Sequence, residues 1–376
     1  MKTSRCEIAV VGAGAMGLAT TYHLAKQGHD VVLIERFGLG HDRGSSHGAA
    51  RITRHSYSDR FYAELMPRAF DSWRKLEADA GETIYLRTGG VSFSPPDVAY
   101  VAQVASHLES IAIPHHRCRG REWNRLHRVF QLPDDFDVVF EPDAGILRAS
   151  RILQLEAELA VHHNAATQIL ADTPVSRIDL DGDRPQVHTP HGVIEPDRLV
   201  VTVGTWTGKL FPTLAHRFQP TRQVVAYFQP IKAVEFELGR FPVFIYKGPG
   251  DLDAFYGMPS GLGMGVKVAR HGGPPVDPDH LRSEPNDTDL RPVREFVAQF
   301  LPELASAVIE RTETCLYNMA KDDHFQLGLL PGRNDVAVAS PCSGHGFKFS
   351  CLIGEILAEL AVTGQVPYDI TPWRLG

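Results

Sequence analysis

Hydrophobic and polar positions fall along this chain in blocks whose period switches between strand-like and helix-like. Ile8-Ala9-Val10-Val11 is an unbroken apolar run, the pattern of a strand covered on both faces. Gly12-Ala13-Gly14-Ala15-Met16-Gly17 follows, and Leu18, Tyr22, Leu24 and Ala25 then predict a helix closed by Gly28. A second apolar run, Val31-Val32-Leu33-Ile34, ends at Glu35. After a loop at 37–57 rich in Gly, Ser, His and Arg, Tyr62, Leu65, Met66, Ala69, Trp73 and Leu76 share one helix face.

Residues 84–94 predict strands, and Pro95-Pro96-Asp97 is expected to start a helix through Val101, Val104 and Leu108. Val138-Val139-Phe140-Glu141-Pro142 and a helix over about 150–163 lead to Leu199-Val200-Val201-Thr202-Val203-Gly204. That run is expected to rejoin the sheet of the first strand. Residues 220–317 are mainly strand-like, with Pro/Gly/Asp-rich loops at 247–251 and 272–287 and one helix through Val293, Phe296, Val297 and Phe300. A short strand, Val336-Ala337-Val338-Ala339-Ser340, precedes the turn Ser343-Gly344-His345-Gly346-Phe347-Lys348. An amphipathic helix is expected after it, with Leu352, Ile353, Ile356, Leu357, Leu360 and Ala361 on its stripe and Gly364 at its end.

The two glycine turns carry the chemistry. In the first, Gly12 makes the tight turn, Gly14 admits a pyrophosphate and Gly17 lets the helix pack on the strand. Glu35 can accept hydrogen bonds from both ribose hydroxyls. Strand, turn, helix, strand and acid in this order indicate a dinucleotide, leaving NAD and FAD both open. In the second, two glycines let a ligand approach the backbone at a positive helix end, with Phe347 and Lys348 inside the turn. Lys2 and Arg5 before an apolar stretch also suit a secretion signal, but Gly12, Gly14 and Gly17 interrupt it and no cleavage-like site is present.

A chain of 376 residues suffices for one large or two medium domains. Its net charge of −7 and the lack of a long Lys/Arg run argue against nucleic-acid or membrane-surface binding. No apolar segment reaches membrane-spanning length. The five cysteines form no CxxC pair and no metal-like spacing, so no metal is expected and a reducing cytoplasm fits. His115-His116 and His162-His163 lack partners at ligand spacing and are expected on a solvated surface.

Taken together the motifs resemble the monomeric sarcosine oxidase and N-methyltryptophan oxidase family of flavoenzymes. The resemblance runs from Gly12–Gly17 through Ser46-His47-Gly48, Arg51-Ile52-Thr53-Arg54-His55, Phe140-Glu141-Pro142 and Val203-Gly204-Thr205-Trp206. It continues through Tyr256-Gly257-Met258-Pro259, Gly265-Val266-Lys267, Cys315-Leu316-Tyr317 and Asp323-His324-Phe325 to the turn at 343–348. It implies an α/β chain of two domains: a Rossmann-like FAD-binding domain (1–85, 145–217 and 321–376) and a substrate domain on a mixed sheet (86–144 and 218–320).

The resemblance further implies FAD attached covalently through Cys315. It places Met16, Arg36, Ser45, Val175, Gly204, Trp206, Gly344, His345, Gly346 and Phe347 at the cofactor, beside Gly12, Gly14, Gly17 and Glu35, with His47 and Arg51 along the flavin ring. Arg54 and Lys348 are expected to hold a substrate carboxylate, and Lys267 to promote the reaction with O₂. Tyr256 and Tyr317 are expected as an aromatic wall, and His271 as either a substrate contact or a solvent-facing residue. A thiol is activated by neighbouring cations, which Cys315 is expected to find in Arg and Lys; Cys342 and Cys351 read as packing residues.

The implied reaction takes hydride from an N-methyl amino acid to FAD, with imine hydrolysis to an amino acid and an aldehyde, and reoxidation by O₂ to hydrogen peroxide. A monomer without nucleic-acid or membrane partners is expected. The alternatives are a dehydrogenase with another electron acceptor, an oxidase of a cyclic amino acid such as pipecolate or proline, and a non-catalytic dinucleotide-binding protein. Ile245 and the loops at 247–251 and 272–287 shape the pocket without stating the substrate's size.

Overall fold

The unbroken apolar run near the N-terminus becomes the strand Thr3–Val11, whose last four residues are buried on both faces. The computed structural model describes residues 3–251, 253–280, 284–366 and 368–375; Lys2, residues 281–283 of the second Pro/Gly/Asp-rich loop and Gly376 lie outside them. Thr3–Val11 pairs in parallel with Val31–Ile34 on one side and with Gly192–Val201 on the other. Gln168–Leu170 and Val336–Ser340 extend this parallel core, so the run ending near Gly204 does rejoin the first sheet. Antiparallel strands Arg177–Asp179, Gln186–Thr189 and Gln326–Leu329 complete it at eight.

A second eight-stranded sheet runs Val308–Ala320, Phe218–Gln229, Val266–Arg270, Ala254–Met258, Val243–Lys247, Gly90–Ser94, Asp137–Glu141, His116–Arg119. It is mixed: Val243–Lys247 and Gly90–Ser94 are parallel, the other neighbours antiparallel. Its outer face packs on the helix Asp287–Phe300 through an aromatic cluster that includes Phe244, Phe255 and Phe296. A three-stranded sheet of Arg51–Thr53, Gly145–Leu147 and Tyr85–Arg87 adjoins these two. The fold is thus mixed α/β with a Rossmann-like sheet, as the pattern of runs predicts.

Three local expectations change. Pro95-Pro96-Asp97 forms a turn, and the helix begins only at Tyr100, because consecutive prolines remove amide donors and hold the chain extended. The C-terminal helix Ser350–Thr363 is covered on nearly all sides, with Ser350, Cys351 and Gly354 buried as well as the apolar stripe. Its crossing with Ala15–Lys26 is the cause: a Cβ at Gly354 would lie 2.5 Å from both the carbonyl carbon and the Cβ of Ala19, so only glycine permits this approach. His163 is half-buried rather than solvated, with Nε2 2.7 Å from Asp79.

Candidate active site

The two glycine turns open on one cavity of about 870 Å³, a size ordinary for a ligand pocket. At its first end the turn between Thr3–Val11 and Ala15–Lys26 is held by tight packing. Gly12 has φ +100°, and a Cβ there would stand 2.7 Å from the Thr202 carbonyl oxygen. A Cβ on Gly17 would stand 1.8 Å from the Gly12 carbonyl oxygen, so Gly17 packs beneath the turn and, unlike Gly12, Gly14 and Met16, does not line the cavity. Ser46 Oγ accepts from the Ala15 amide at 3.0 Å and so caps the helix from the neighbouring loop.

Glu35 is buried at the adjacent strand end. Its Oε2 accepts from the Ala13 amide at 2.7 Å and its Oε1 from the Phe37 amide at 3.0 Å. Burial works to raise this carboxyl, yet His41 and the two amides outweigh it and hold it below its ordinary value. The ionised acid keeps spare acceptor capacity toward the cavity. Arg36, Val175, Gly204 and Trp206 line this end too; Arg36 lies 5.8 Å over the Trp206 ring.

In the middle, Arg51 staples the loop before it. Its guanidinium donates to the carbonyls of Ala50, Ser45 and His47 and lies 5.6 Å over the Phe347 ring. His47 Nδ1 is buried with no partner among the described residues; burial and Arg51 lower its pKa. Cys315 is buried on the cavity wall near Cys342, whose Sγ donates to Ser45 Oγ at 3.9 Å. Burial pushes the Cys315 thiol up, against the opposing pull of Arg51 and Lys267. Lys267, on Val266–Arg270, is also buried and lines the cavity; burial and Arg51 bring its pKa down to about 7.

The far end collects cations. The Arg54 guanidinium sits 4.6 Å over the Tyr57 ring, and its Nε and one Nη are buried without a hydrogen-bond partner among the described residues. Lys348 Nζ donates to the Tyr57 hydroxyl at 3.0 Å and to the His345 carbonyl at 3.0 Å. No carboxylate lies within ion-pair distance of either cation among the described residues. Burial, then Arg54, pushes the Lys348 ammonium well below its ordinary value. An anion between the two would relieve both.

Glu141 fixes this corner. It accepts from the backbone amides of His55 and Ser56 and pairs with His55 Nδ1 at 2.6 Å, pinning the segment that carries Arg54 and Tyr57. Across the cavity, Tyr256 and Tyr317 share a hydroxyl contact of 3.2 Å. His271, half-buried, lines the cavity beside Tyr317; burial, then Lys348, takes its pKa down to about 4. Gly344 has φ +76°, and a Cβ there would meet His271 at 2.3 Å and Tyr317 at 2.6 Å; a Cβ on Gly346 would meet the Pro341 carbonyl oxygen at 1.8 Å. Ile245 lines the same end.

Sequence reasoning missed Ser46, Tyr57, Lys247 and Glu313, all beside or on this cavity. Only the alternation of Glu313, Cys315 and Tyr317 along one strand face could have flagged the last. The residues present suit an extended dinucleotide: a glycine turn and acid at one end, a second glycine turn at the other, and unpartnered Arg54 nitrogens beyond it.

Residues 7–360 match the FAD dependent oxidoreductase family known as DAO. The monomeric sarcosine oxidase of Bacillus sp. (strain NS-129) is 34% identical over 376 aligned residues, covering 98% of this chain and 96% of that one. The N-methyl-L-tryptophan oxidase of Yersinia pestis (strain Pestoides F) is 30% identical over 373 residues, covering 98% of each. Among solved structures, NikD, an unusual amino acid oxidase essential for nikkomycin biosynthesis, superposes with a TM-score of 0.86 at 24% identity, covering 98% of this chain and 96% of that one. L-proline dehydrogenase from P. horikoshii gives 0.84 at 21%, covering 99% and 97%; both structures share the fold.

Proposed function

The chain belongs to the family of FAD-dependent oxidoreductases, and we propose that it is an oxidase of a secondary amino acid, sarcosine or another N-methyl-L-amino acid. FAD, when bound, supplies the two-electron acceptor for removal of hydride from the carbon beside nitrogen and passes the electrons to O₂, giving hydrogen peroxide; the substrate imine then hydrolyses to amino acid and aldehyde. The observation that carries this reading is the pair of cations at the far end: Arg54, whose Nε and one Nη are buried with no hydrogen-bond partner, and buried Lys348, with no acid at ion-pair distance, both among the described residues.

Arg54 and Lys348 bind the carboxylate, one as a fork and the other as a point charge. His271 stays neutral at pH 7, so it offers an acceptor and adds no charge that would oppose an amine. Tyr256, Tyr317 and Ile245 wall the reacting centre from water. Lys267 holds a positive charge where oxygen is reduced, and His47 and Arg51 line the flavin ring. Cys315 is the point of covalent attachment, supported by its place on the wall between cations.

The division into a FAD domain (1–85, 145–217, 321–376) and a substrate domain (86–144, 218–320) is part of this proposal, as are a monomeric state and a cytoplasmic setting. The two large sheets draw their strands from separate sets of segments, and all five cysteines are free. No helix among the described residues is long and apolar enough to cross a membrane.

The test is peroxide formation and anaerobic flavin bleaching with sarcosine, larger N-methyl amino acids, proline and pipecolate. Bleaching by an N-methyl amino acid with peroxide formed on re-aeration is expected. Arg54→Gln should lower kcat/KM roughly ten- to hundredfold, the loss of about 1.5–3 kcal/mol from one charged hydrogen-bonding partner. Absence of bleaching by every secondary amino acid would reject the reading.

A further inference from the structure

The long strand Val308–Ala320 turns alternate side chains to the cavity, where Glu313, Cys315, Tyr317 and Met319 all line the wall. Glu313 has no part in the chemistry above. On the neighbouring strand, Tyr227 stands opposite Lys267 on one side and Arg311 on the other, so lysine, tyrosine and arginine form one row across three strands. The Tyr227 hydroxyl donates to Glu313 Oε2 at 2.7 Å. Arg311 approaches Oε1 at 3.3 Å, and its guanidinium lies 4.4 Å over the Tyr227 ring. Lys267 Nζ lies 5.8 Å from the centroid of that same ring.

Glu313 is also close to the other cation of the wall. A Cβ on Gly48 would come within 3.2 Å of an Arg51 Nη and 3.6 Å of Glu313 Oε2, which puts carboxylate and guanidinium on the same glycine. The groups whose charge bears most on Lys267 are Arg51 from Arg51–Thr53, and Cys315, Glu313 and Arg311 from the long strand. Tyr227 faces it from the adjacent strand, and Lys267 in turn acts on His47 of the loop. Of these groups only Glu313 is a carboxylate. Two guanidiniums beside a buried ammonium favour loss of its proton; Cys315 opposes that loss, and so does the Glu313 carboxylate held in place by a tyrosine and an arginine.

We propose that Glu313, aimed by Tyr227 and Arg311, is a positioning counter-charge that keeps Lys267 protonated for the oxygen half-reaction. This rests on the oxidase reading, and its test is built to separate the two. Glu313→Gln keeps the side-chain volume and removes the charge. In stopped-flow reoxidation of the reduced holoenzyme across a pH series from mildly acidic to alkaline, the alkaline loss of rate should move down by about one pH unit, the order of shift that one opposite charge produces. Anaerobic bleaching by substrate should keep its wild-type rate.

Glu313→Asp should restore most of the alkaline limb, and Tyr227→Phe, which keeps the charge and loses its aim, should give an intermediate shift. A second readout needs no turnover: reductive methylation of the oxidised holoenzyme with isotope-labelled formaldehyde, followed by NMR titration. The dimethyl-lysine signal missing from Lys267→Met should titrate at lower pH in Glu313→Gln. An unmoved alkaline limb together with an unmoved NMR midpoint overturns the proposal. If Lys267→Met reoxidises at the wild-type rate, the oxygen role of Lys267 is what fails, and the NMR midpoint still decides whether Glu313 holds its charge.

Discussion

Glu156 lies on the helix Ala149–His163 with zero exposure, and neither carboxyl oxygen has a partner among the described residues. Burial raises its pKa well above the ordinary glutamate value, so the folded protein holds a proton there that the unfolded chain has released. Stability from this group is therefore full below the ordinary value near pH 4.5 and falls as pH climbs toward the raised one. The slope for one proton is about 1.4 kcal/mol per pH unit. Glu156→Gln should match wild type in mildly acidic buffer and exceed it increasingly toward pH 8, measured as Tm against pH; parallel curves would show that the carboxyl stays charged. Residues of this kind are hard to read in advance. Gly12, Gly14 and Glu35 announce themselves by spacing, whereas Glu156 looks like any helix-surface acid, and Glu313 meets Tyr227 across 86 positions.

Elements were legible where one short segment sets its own geometry. The first strand, turn and helix form as their apolar runs and glycines predict, because each needs only neighbours in sequence. The C-terminal helix was legible as a helix but not in its burial, since that depends on Ala15–Lys26, more than three hundred residues earlier. Glycines on either side of this helix offer a paired test. At Gly344 both φ +76° and the nearby His271 and Tyr317 forbid a side chain, whereas a Cβ on Gly364, with φ +73°, would meet nothing within 4 Å among the described residues. Gly364→Ala should cost only the strain of a left-handed alanine, about 1–2 kcal/mol, and purify yellow. Gly344→Ala should displace the aromatic wall and purify with little bound flavin; equal flavin absorbance in the two variants would contradict the crowding at Gly344.

At the scale of the whole molecule, ion pairs from Asp277 and Asp279 tie a distant segment to the nucleotide end of the cavity. Asp279 accepts from Arg36 at 2.9 Å, from Trp206 Nε1 at 2.8 Å and from Lys209, while Asp277 also pairs with Lys209. These groups are partly exposed, so each contact is worth about 0–1 kcal/mol and weakens with salt. A thioether at Cys315 would hide so small an effect, so it is best measured without one. Wild type should keep its yellow colour in an acid precipitate and Cys315→Ala should release it. In that Cys315→Ala background Asp279→Asn should release FAD roughly two- to fivefold faster, equivalent to about 0.5–1 kcal/mol, with the gap narrowing at high salt. The contact of Gly354 with Ala19 reaches further. It locks together the two helices whose starts meet opposite ends of the cavity, so the span between the ends is fixed like a calliper set to one length. A flavin mononucleotide would bring one phosphate to the Gly12–Gly17 turn but no ribose to Glu35 beside it, so a fixed span of this kind is filled along its whole length only by a dinucleotide.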